Sequence, residues 1–230
     1  KSQVGTITIP SDGSNSTIKG LDVNQINEDT MLNETLSNLA IIDCEIGGVL
    51  LSPSPNSNIG GNLNNILLQG NLLKSVTRVR ANNIAIINNV IRSAGGSQVS
   101  ISPGNTIFSN NIVINNSFFL YGTSGLLTID NCIFVTESNS TGTISIDLNG
   151  QPFIVEINNS ITYNYGSGDL NFPTGNNFAL INTQENVDPL FTFLEGGFTS
   201  LVGDNNNYQP ELDDLTLQAN SPVVDDGLYE

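Results

Sequence analysis

The chain has 230 residues, a formal net charge of −16 and no histidine, and only 12% of its residues are charged. Six cations against 22 acidic residues argue against a nucleic-acid partner, because phosphate binding needs many lysines and arginines. The lack of histidine excludes catalytic triads and acid–base schemes that use it. No run of about 18 apolar residues is present, which excludes a membrane span.

The first thirty residues contain two short predicted strands, in the segments VGTITIP and STIKGLDV. Neither is followed by an amphipathic helix long enough to cover a sheet edge, and an open edge exposes unpaired backbone groups. We expect either that a covering segment has been removed or that this end receives a partner, such as the next subunit.

A repeat of short strands and polar corners follows over residues 36–165. Its anchor positions are 18 to 28 residues apart and are Val23, Ile46, Leu72, Val90, Ile112, Ile133 and Ile161. The residue two before the anchor is asparagine in the later repeats, at Asn88, Asn110, Asn131 and Asn159. Even spacing of apolar and β-branched residues predicts strands, and a fixed period of this length predicts a solenoid.

The pattern resembles the right-handed parallel β-helix proteins, the pectate-lyase-like group, over about residues 5–185. The resemblance implies an all-β coil of about seven to eight rungs, which we place at residues 1–185. Asn88, Asn110, Asn131 and Asn159 would form a structural ladder, since asparagine tolerates the left-handed corner and stacked amides hydrogen-bond between rungs. A leucine-rich repeat is an alternative, although the segments after the asparagines lack helix-forming residues.

The two cysteines, Cys44 and Cys132, lie four rungs apart in this alignment. At about 4.8 Å per rung they are roughly 19 Å apart, whereas a disulfide needs Cα atoms within about 7 Å. The sequence therefore predicts two free, largely buried thiols.

Residues 186–230 predict a capping segment packed on the last rungs within the same single domain. The terminal segment of secreted bacterial β-helix surface proteins resembles the run from Asp188 to Phe191 together with the closing Leu215, Leu217, Ser221, Pro222, Asp225 and Gly227. This resemblance implies an extracellular or cell-surface location.

Four of the six cations gather on two neighbouring predicted rungs, and they are Lys74, Arg78, Arg80 and Arg92. Lys74 and Arg92 occupy the same column, while Arg78 and Arg80 point to one face of their strand. The functional interpretation is a site for the carboxylates or sulfates of an anionic polysaccharide. The alternative is a set of solvated or interface charges.

Enzymatic sites are not supported by the carboxylate pattern. A polysaccharide lyase usually holds Ca²⁺ with acidic side chains, and none lies between Ile46 and Ile129, while Asp43 and Glu45 fall in other columns than Lys74. Glycoside hydrolysis needs two carboxylates about 5 to 9.5 Å apart. The candidates fall in different columns and are Asp130, Glu137, Asp147 and Glu156.

A structural Ca²⁺ is the one cofactor considered, with Asp213, Asp214, Asp225 and Asp226 as candidate ligands. A solvated acidic surface is the alternative interpretation of these residues.

Charge changes sign along the repeat. Residues 46–129 carry four basic and no acidic side chains, and residues 130–230 carry 15 acidic and no basic ones. We therefore expect a non-catalytic structural, adhesive or filament-forming surface protein whose partner is a second copy placed head to tail. The alternatives are a lyase-like enzyme and a module that binds an anionic polysaccharide.

Overall fold

The structure is a computed structural model, and its described residues form β-strands with one short 3-10 turn, Ser11–Gly13. It describes residues 3–29, 34–51, 62–74, 77–93, 97–101, 105–115, 117–122, 125–136, 143–147, 153–164, 171–172, 174–175, 177–193 and 214–221. Across this part of the chain, no helix has the length and apolar character needed to cross a membrane.

One ladder of parallel strands, sheet B, receives a strand from each successive rung of the chain. Its strands are β2 (Thr17–Lys19), β4 (Thr35–Ile42), β6 (Asn62–Gln69), the second half of β8 (Thr77–Ile87), β11 (Thr106–Ser109), β14 (Gly125–Asp130), β17 (Phe153–Asn158) and β19 (Phe178–Ile181). Because they pair in chain order, distance along the sequence becomes distance along the coil.

A second parallel ladder, sheet A, carries the next part of each rung. Its strands are β1 (Gln3–Pro10), β3 (Asp22–Asp29), β5 (Glu45–Leu51), β7 (Leu72–Leu73) with the first half of β8, β9 (Val90–Ser93), β10 (Ser97–Ile101), β12 (Ile112–Asn115), β13 (Ser117–Gly122), β15 (Ile133–Thr136), β16 (Thr143–Asp147) and β18 (Ile161–Asn164).

A single residue in the left-handed conformation turns the chain from sheet B into sheet A in each rung. Its φ lies between 47° and 69° at Gly20, Asp43, Gly70, Asn88, Asn110, Asn131, Asn159 and Asn182. Glycine, asparagine and aspartate adopt this conformation at the least steric cost. The asparagine column thus occupies left-handed corners, as predicted.

The core lies inside the coil, because successive side chains of a strand point to opposite faces. Leu39 and Ile41 are buried, whereas Ala40 between them is half-buried on the outside. Farther along the coil, aromatic rings fill the interior: Phe108 stacks on Phe134 with ring centroids 6.2 Å apart.

The fold class predicted from the sequence, an all-β parallel solenoid, is confirmed. The structure assigns no α-helix to the described residues, which removes the leucine-rich repeat interpretation. The coil makes about five turns, slightly fewer than the seven to eight rungs expected. Sheet B nevertheless contains eight strands, because it includes strands from the incomplete rungs at the two ends. The terminal rungs are incomplete, since β2 has three residues and sheet A ends in the isolated bridge of Ile161 with Gln184.

The register corrects the predicted alignment of the first two rungs. The later anchors share one column, and they are Leu72, Val90, Ile112, Ile133 and Ile161. Leu72, however, pairs with Glu45, while Ile46 pairs with Leu73 and is fully buried. A slip of one residue moves a side chain to the other face of the sheet. Apolar residues on both faces of these strands concealed the slip in the sequence.

A two-stranded antiparallel hairpin, β20 (Phe191–Phe193) with β21 (Asp214–Leu217), packs beside the last rungs. Phe191 is 5% exposed and packs with Ile133, Val135 and Ile161 in a cluster separate from the main core. Residues 194–213 and 222–230 lie outside the described part of the chain, so a cap formed by the whole of 186–230 stays a prediction.

Candidate functional site

The four cations of the predicted basic cluster lie on two neighbouring rungs of sheet A. Lys74 follows β7, Arg78 and Arg80 lie on β8, and Arg92 lies on β9 of the next rung. Because β7 and β9 pair in parallel register, Lys74 and Arg92 stand side by side, about one strand spacing of 4.8 Å apart.

Lys74 forms an ion pair with Glu45 of the preceding rung, and the two side chains are 43% and 23% exposed. The sequence placed Glu45 in a different column, but the lysine side chain reaches it diagonally. An ion pair this exposed adds little stability. It does neutralise the positive charge that an anionic ligand would meet.

Arg92 and Arg80 differ in their access to solvent. Arg92 is only 8% exposed, beside Ile114, which is 1% exposed. Burying a cation is costly unless it is paired, and Arg92 is engaged in a further interaction. Arg80 is exposed, while the side chain of Arg78 lies outside the described ones. The structure therefore presents Lys74 and Arg80, but not Arg92, to solvent.

Two of the candidate carboxylates for glycoside hydrolysis lie on neighbouring strands of one sheet, and a third lies on the other sheet. Asp130 on β14 and Glu156 on β17 belong to sheet B, whereas Asp147 on β16 belongs to sheet A. Asp130 accepts a hydrogen bond from Asn159 Nδ2 at 3.2 Å. Glu137 lies outside the described residues.

The predicted calcium ligands fall mostly outside the described residues. Asp214 lies in β21, whereas Asp213, Asp225 and Asp226 are not described. Within the described ranges no group of three or more acidic, cysteine or histidine side chains could hold a metal ion. The calcium site stays a prediction.

A buried amide ladder stands one residue after the predicted asparagine column. Asn71 N and Nδ2 donate to Asn89 Oδ1 at 2.9 and 3.0 Å, and Asn89 N and Nδ2 donate to Asn111 Oδ1 at 2.9 and 3.1 Å. Asn89 Nδ2 also donates to the Leu68 carbonyl at 3.0 Å. The ladder residues are at most 2% exposed. Their amides therefore satisfy backbone groups inside the corner.

The sequence contained the signal for this ladder in its asparagine pairs. In Asn88–Asn89 and Asn110–Asn111 the first residue has a positive φ and turns the chain, while the second points inward. Sequence reasoning assigned both roles to the first residue.

Cys132 and Ser160 continue the buried column. Cys132 N donates to Ser160 Oγ at 3.1 Å, and Cys132 Sγ lies 3.2 Å from the Asp130 carbonyl. Burial raises the pKa of the Cys132 thiol from 9.0 to about 12, against the opposing effect of hydrogen bonds with Asn111. Cys44 and Cys132 are both free and buried, which confirms the sequence prediction.

A second, exposed amide ladder borders sheet B, and sequence reasoning missed it. The Nδ2 atoms of Asn38, Asn65 and Asn83 donate to the Oδ1 atom of the preceding member at 2.8, 2.9 and 3.2 Å, starting from Asn15. All four residues have a φ between 55° and 63°. The sequence signal for this ladder is an asparagine that begins a similar five-residue stretch in successive rungs, in NLAII, NILLQ and NIAII.

Comparison of the chain with protein-family models, with curated proteins and with solved structures gave no match.

Proposed function

We propose that this chain is a non-catalytic extracellular β-helix with a structural, adhesive or filament-forming role at the cell surface. The observation that carries the proposal is the separation of charge along the coil. The four cations of residues 46–129 lie in the middle rungs, and the 15 acidic residues of 130–230 follow them without any basic residue.

Because the described rungs stack in chain order, Asp130 and Glu156 lie beyond the rungs of the four cations along the coil. A head-to-tail contact whose ends overlap would bring the acidic end of one copy beside the basic middle of the next. Contacts of this heterologous kind continue into filaments when they do not close into a ring. A strict end-to-end contact would instead bring the acidic end against residues 1–45, which carry seven acidic and two basic side chains. A divalent cation would offset that repulsion.

The local environment of the polar residues supports a non-catalytic role. The asparagines of the described rungs bond to one another in two ladders. Lys74 is neutralised by Glu45, and Arg92 is buried. The ladders stabilise the coil, while the ion pair of Lys74 and the burial of Arg92 leave little of the basic cluster for chemistry.

Electron microscopy of the purified chain at several concentrations, with and without Ca²⁺, tests the proposal. We expect filaments with an axial repeat near the length of one coil, about 34 Å for the seven spacings of about 4.8 Å between the eight strands of sheet B. Dispersed single rods at high protein concentration and moderate salt would argue against assembly.

A second candidate function is binding of an anionic polysaccharide, favoured by the exposure of Arg80 and Lys74 on one rung. The double substitution Arg78→Ala with Arg80→Ala should abolish retention on an anionic glycan column. Lys19→Ala, which removes a cation 65% exposed on sheet B, is the matched control and should be retained.

New ultraviolet absorption from unsaturated uronates, measured with a panel of pectin, alginate and glycosaminoglycans, would instead indicate a lyase.

A further inference from the structure

The outer surface of sheet B carries an apolar patch, here called face B, on four consecutive rungs. It consists of six apolar outward side chains of β4, β6, β8 and β11, with the polar Gln69 and Ser109 beside them in the outward column of Ile42 and Ile87; the six are Ala40, Ile42, Leu67, Ala85, Ile87 and Ile107. Ile107 is 48% exposed, and the other five are half-buried by their neighbours along the coil. In a chain with 28 charged residues, a patch of this kind marks an interaction surface.

Face B has a charge of opposite sign at each end. The parallel register continues the column of Ile42 to Lys19 on the rung before the patch. The column runs through Gln69, Ile87 and Ser109 to Asp130 on the rung after it. The Lys19 side chain is 65% exposed. Its pairing with Asp43, at 3.4 Å and largely in solvent, is weak enough to rearrange.

Side-chain size alternates along the adjacent column. Ala40 pairs with Leu67, Leu67 with Ala85, and Ala85 with Ile107. Large and small residues therefore follow one another from rung to rung, at about 4.8 Å per step. A surface with this alternation fits another in which the order is reversed.

A two-fold axis that lies along the strand direction, between the rungs of Leu67 and Ala85, produces that reversed order. The axis places each column of one copy over the same column of the other copy and reverses the order of the rungs. Leu67 of one copy then lies over Ala85 of the other, and Ala40 lies over Ile107. The same operation places Lys19 of each copy over Asp130 of the other.

We propose that face B binds a second copy of this chain, with the two coil axes antiparallel. Size along the column of Ala40 and charge at the two ends become complementary under one symmetry operation, as an isologous interface requires. In the neighbouring column the same operation places Ile42 over Ser109 and Gln69 over Ile87. Aliphatic side chains on two facing sheets would pack about 10 Å apart, as in a sandwich. This lateral pairing does not depend on head-to-tail assembly, since it uses the side of the coil.

The size of face B sets the strength of the pairing. Six rungs span about 24 Å along the coil and four residues span about 13 Å across it, which is roughly 300 Å² of flat sheet for each copy. A stable dimer buries about 800 Å² on each partner. The pairing is therefore a weak, concentration-dependent equilibrium between monomer and dimer.

Sedimentation equilibrium of the full chain over a range of concentrations tests the pairing. We expect a monomer–dimer equilibrium that Ile107→Asp weakens by at least about tenfold in Kd. Ile154→Asp is the matched control, because Ile154 is 57% exposed on the same sheet but lies beyond the rungs that the two-fold axis brings together. Circular dichroism checks that both variants remain folded.

A charge exchange tests the orientation. Lys19→Asp and Asp130→Lys should each weaken the dimer, and the double variant should restore it, because each altered residue again meets an opposite charge. A size exchange makes the same test without charge: Ala85→Leu should weaken the dimer, and adding Leu67→Ala should restore it.

Three results would overturn the proposal: a monomer at every concentration, equal weakening by Ile107→Asp and Ile154→Asp, or no restoration in either exchange. If the Ile107→Asp variant still forms filaments, head-to-tail assembly does not require the contact at face B. Their absence in every variant would count against the filament proposal alone.

Discussion

The coil contains two asparagine ladders that use the same amide bonds in different surroundings. The buried ladder of Asn71, Asn89 and Asn111 lies inside the corner, with side chains at most 2% exposed. The exposed ladder runs through Asn38, Asn65 and Asn83 on the outside. Only the buried amides also bond to backbone carbonyls of the coil, at 2.8 to 3.0 Å. Burial therefore decides how much each ladder contributes.

The difference follows from what replaces a lost hydrogen bond. Water takes the place of an amide removed from the exposed ladder, so the net loss is about 1 kcal/mol or less. No water replaces a buried amide unless a cavity admits it, and each polar group left without a partner costs about 1 to 3 kcal/mol. The exposed positions require a positive φ, and asparagine adopts this conformation more readily than most residues.

The largest expected effect is that of Asn89→Ala. The substitution removes the acceptor of Asn71 N and the donor to the Leu68 carbonyl, so the free energy of unfolding should fall by about 3 kcal/mol. Asn83→Gly is the control, because glycine keeps the positive φ while removing the exposed amide; it should cost less than about 1 kcal/mol. Urea unfolding measures both, and equal losses would contradict the role of burial.

The thiol in the buried column makes stability depend on alkaline pH. The pKa of Cys132 is raised from 9.0 to about 12 in the folded chain, so the unfolded chain loses this proton first. The contribution of the protonated Cys132 thiol to the free energy of unfolding is complete below pH 9.0 and is lost as the pH rises toward about 12. In this range the free energy of unfolding falls with pH, with a slope that approaches about 1.4 kcal/mol for each pH unit.

Cys132→Ser should remove that part of the pH dependence. Serine already occupies the same column at Ser160, where it donates to the Asn158 carbonyl at 2.7 Å. Subtracting the variant's unfolding curve from that of the parent at pH 8 to 11 cancels the titration of tyrosines and lysines. Identical curves would mean that Cys132 is not protected in the folded chain.

A smaller effect is expected at the corners that lead into the buried column. Gly20→Ala places a side chain at a φ of +69° with no atom within 4 Å, so only the conformational cost of about 1 kcal/mol applies. Gly70→Ala has a φ of +66°, and its Cβ would lie 2.5 Å from Asp43 Oδ1. The carboxylate would have to leave Lys19, which should bring the loss to roughly 2 kcal/mol. Thermal unfolding of the two variants would show no difference if Asp43 moves freely.

The smallest expected effect on stability is that of Glu45→Gln, on the exposed side of the coil. The ion pair with Lys74 is partly exposed, so its loss should change the free energy of unfolding by less than about 1 kcal/mol. If the basic cluster binds an anionic glycan, the same variant should be retained more strongly on the column. Unchanged retention would show that Lys74 takes no part in binding.

The sequence by itself determined the solenoid, the left-handed corners and the state of the thiols. These are local or periodic properties: alternation of apolar residues predicts strands, asparagine tolerates a positive φ, and repeat spacing separates Cys44 from Cys132. None of them depends on which residue of a neighbouring rung lies opposite.

Only the tertiary structure decided the register, and with it the role of individual side chains. Apolar residues stand on both faces of the first strands, so the sequence permits a shift of one residue that packing in the core does not. The structure also distinguishes two adjacent residues, Asn88 at the corner and Asn89 in the buried ladder. The contact of Lys74 with Glu45 and the alternation of face B follow in the same way, since both arise between residues that meet only when the rungs stack.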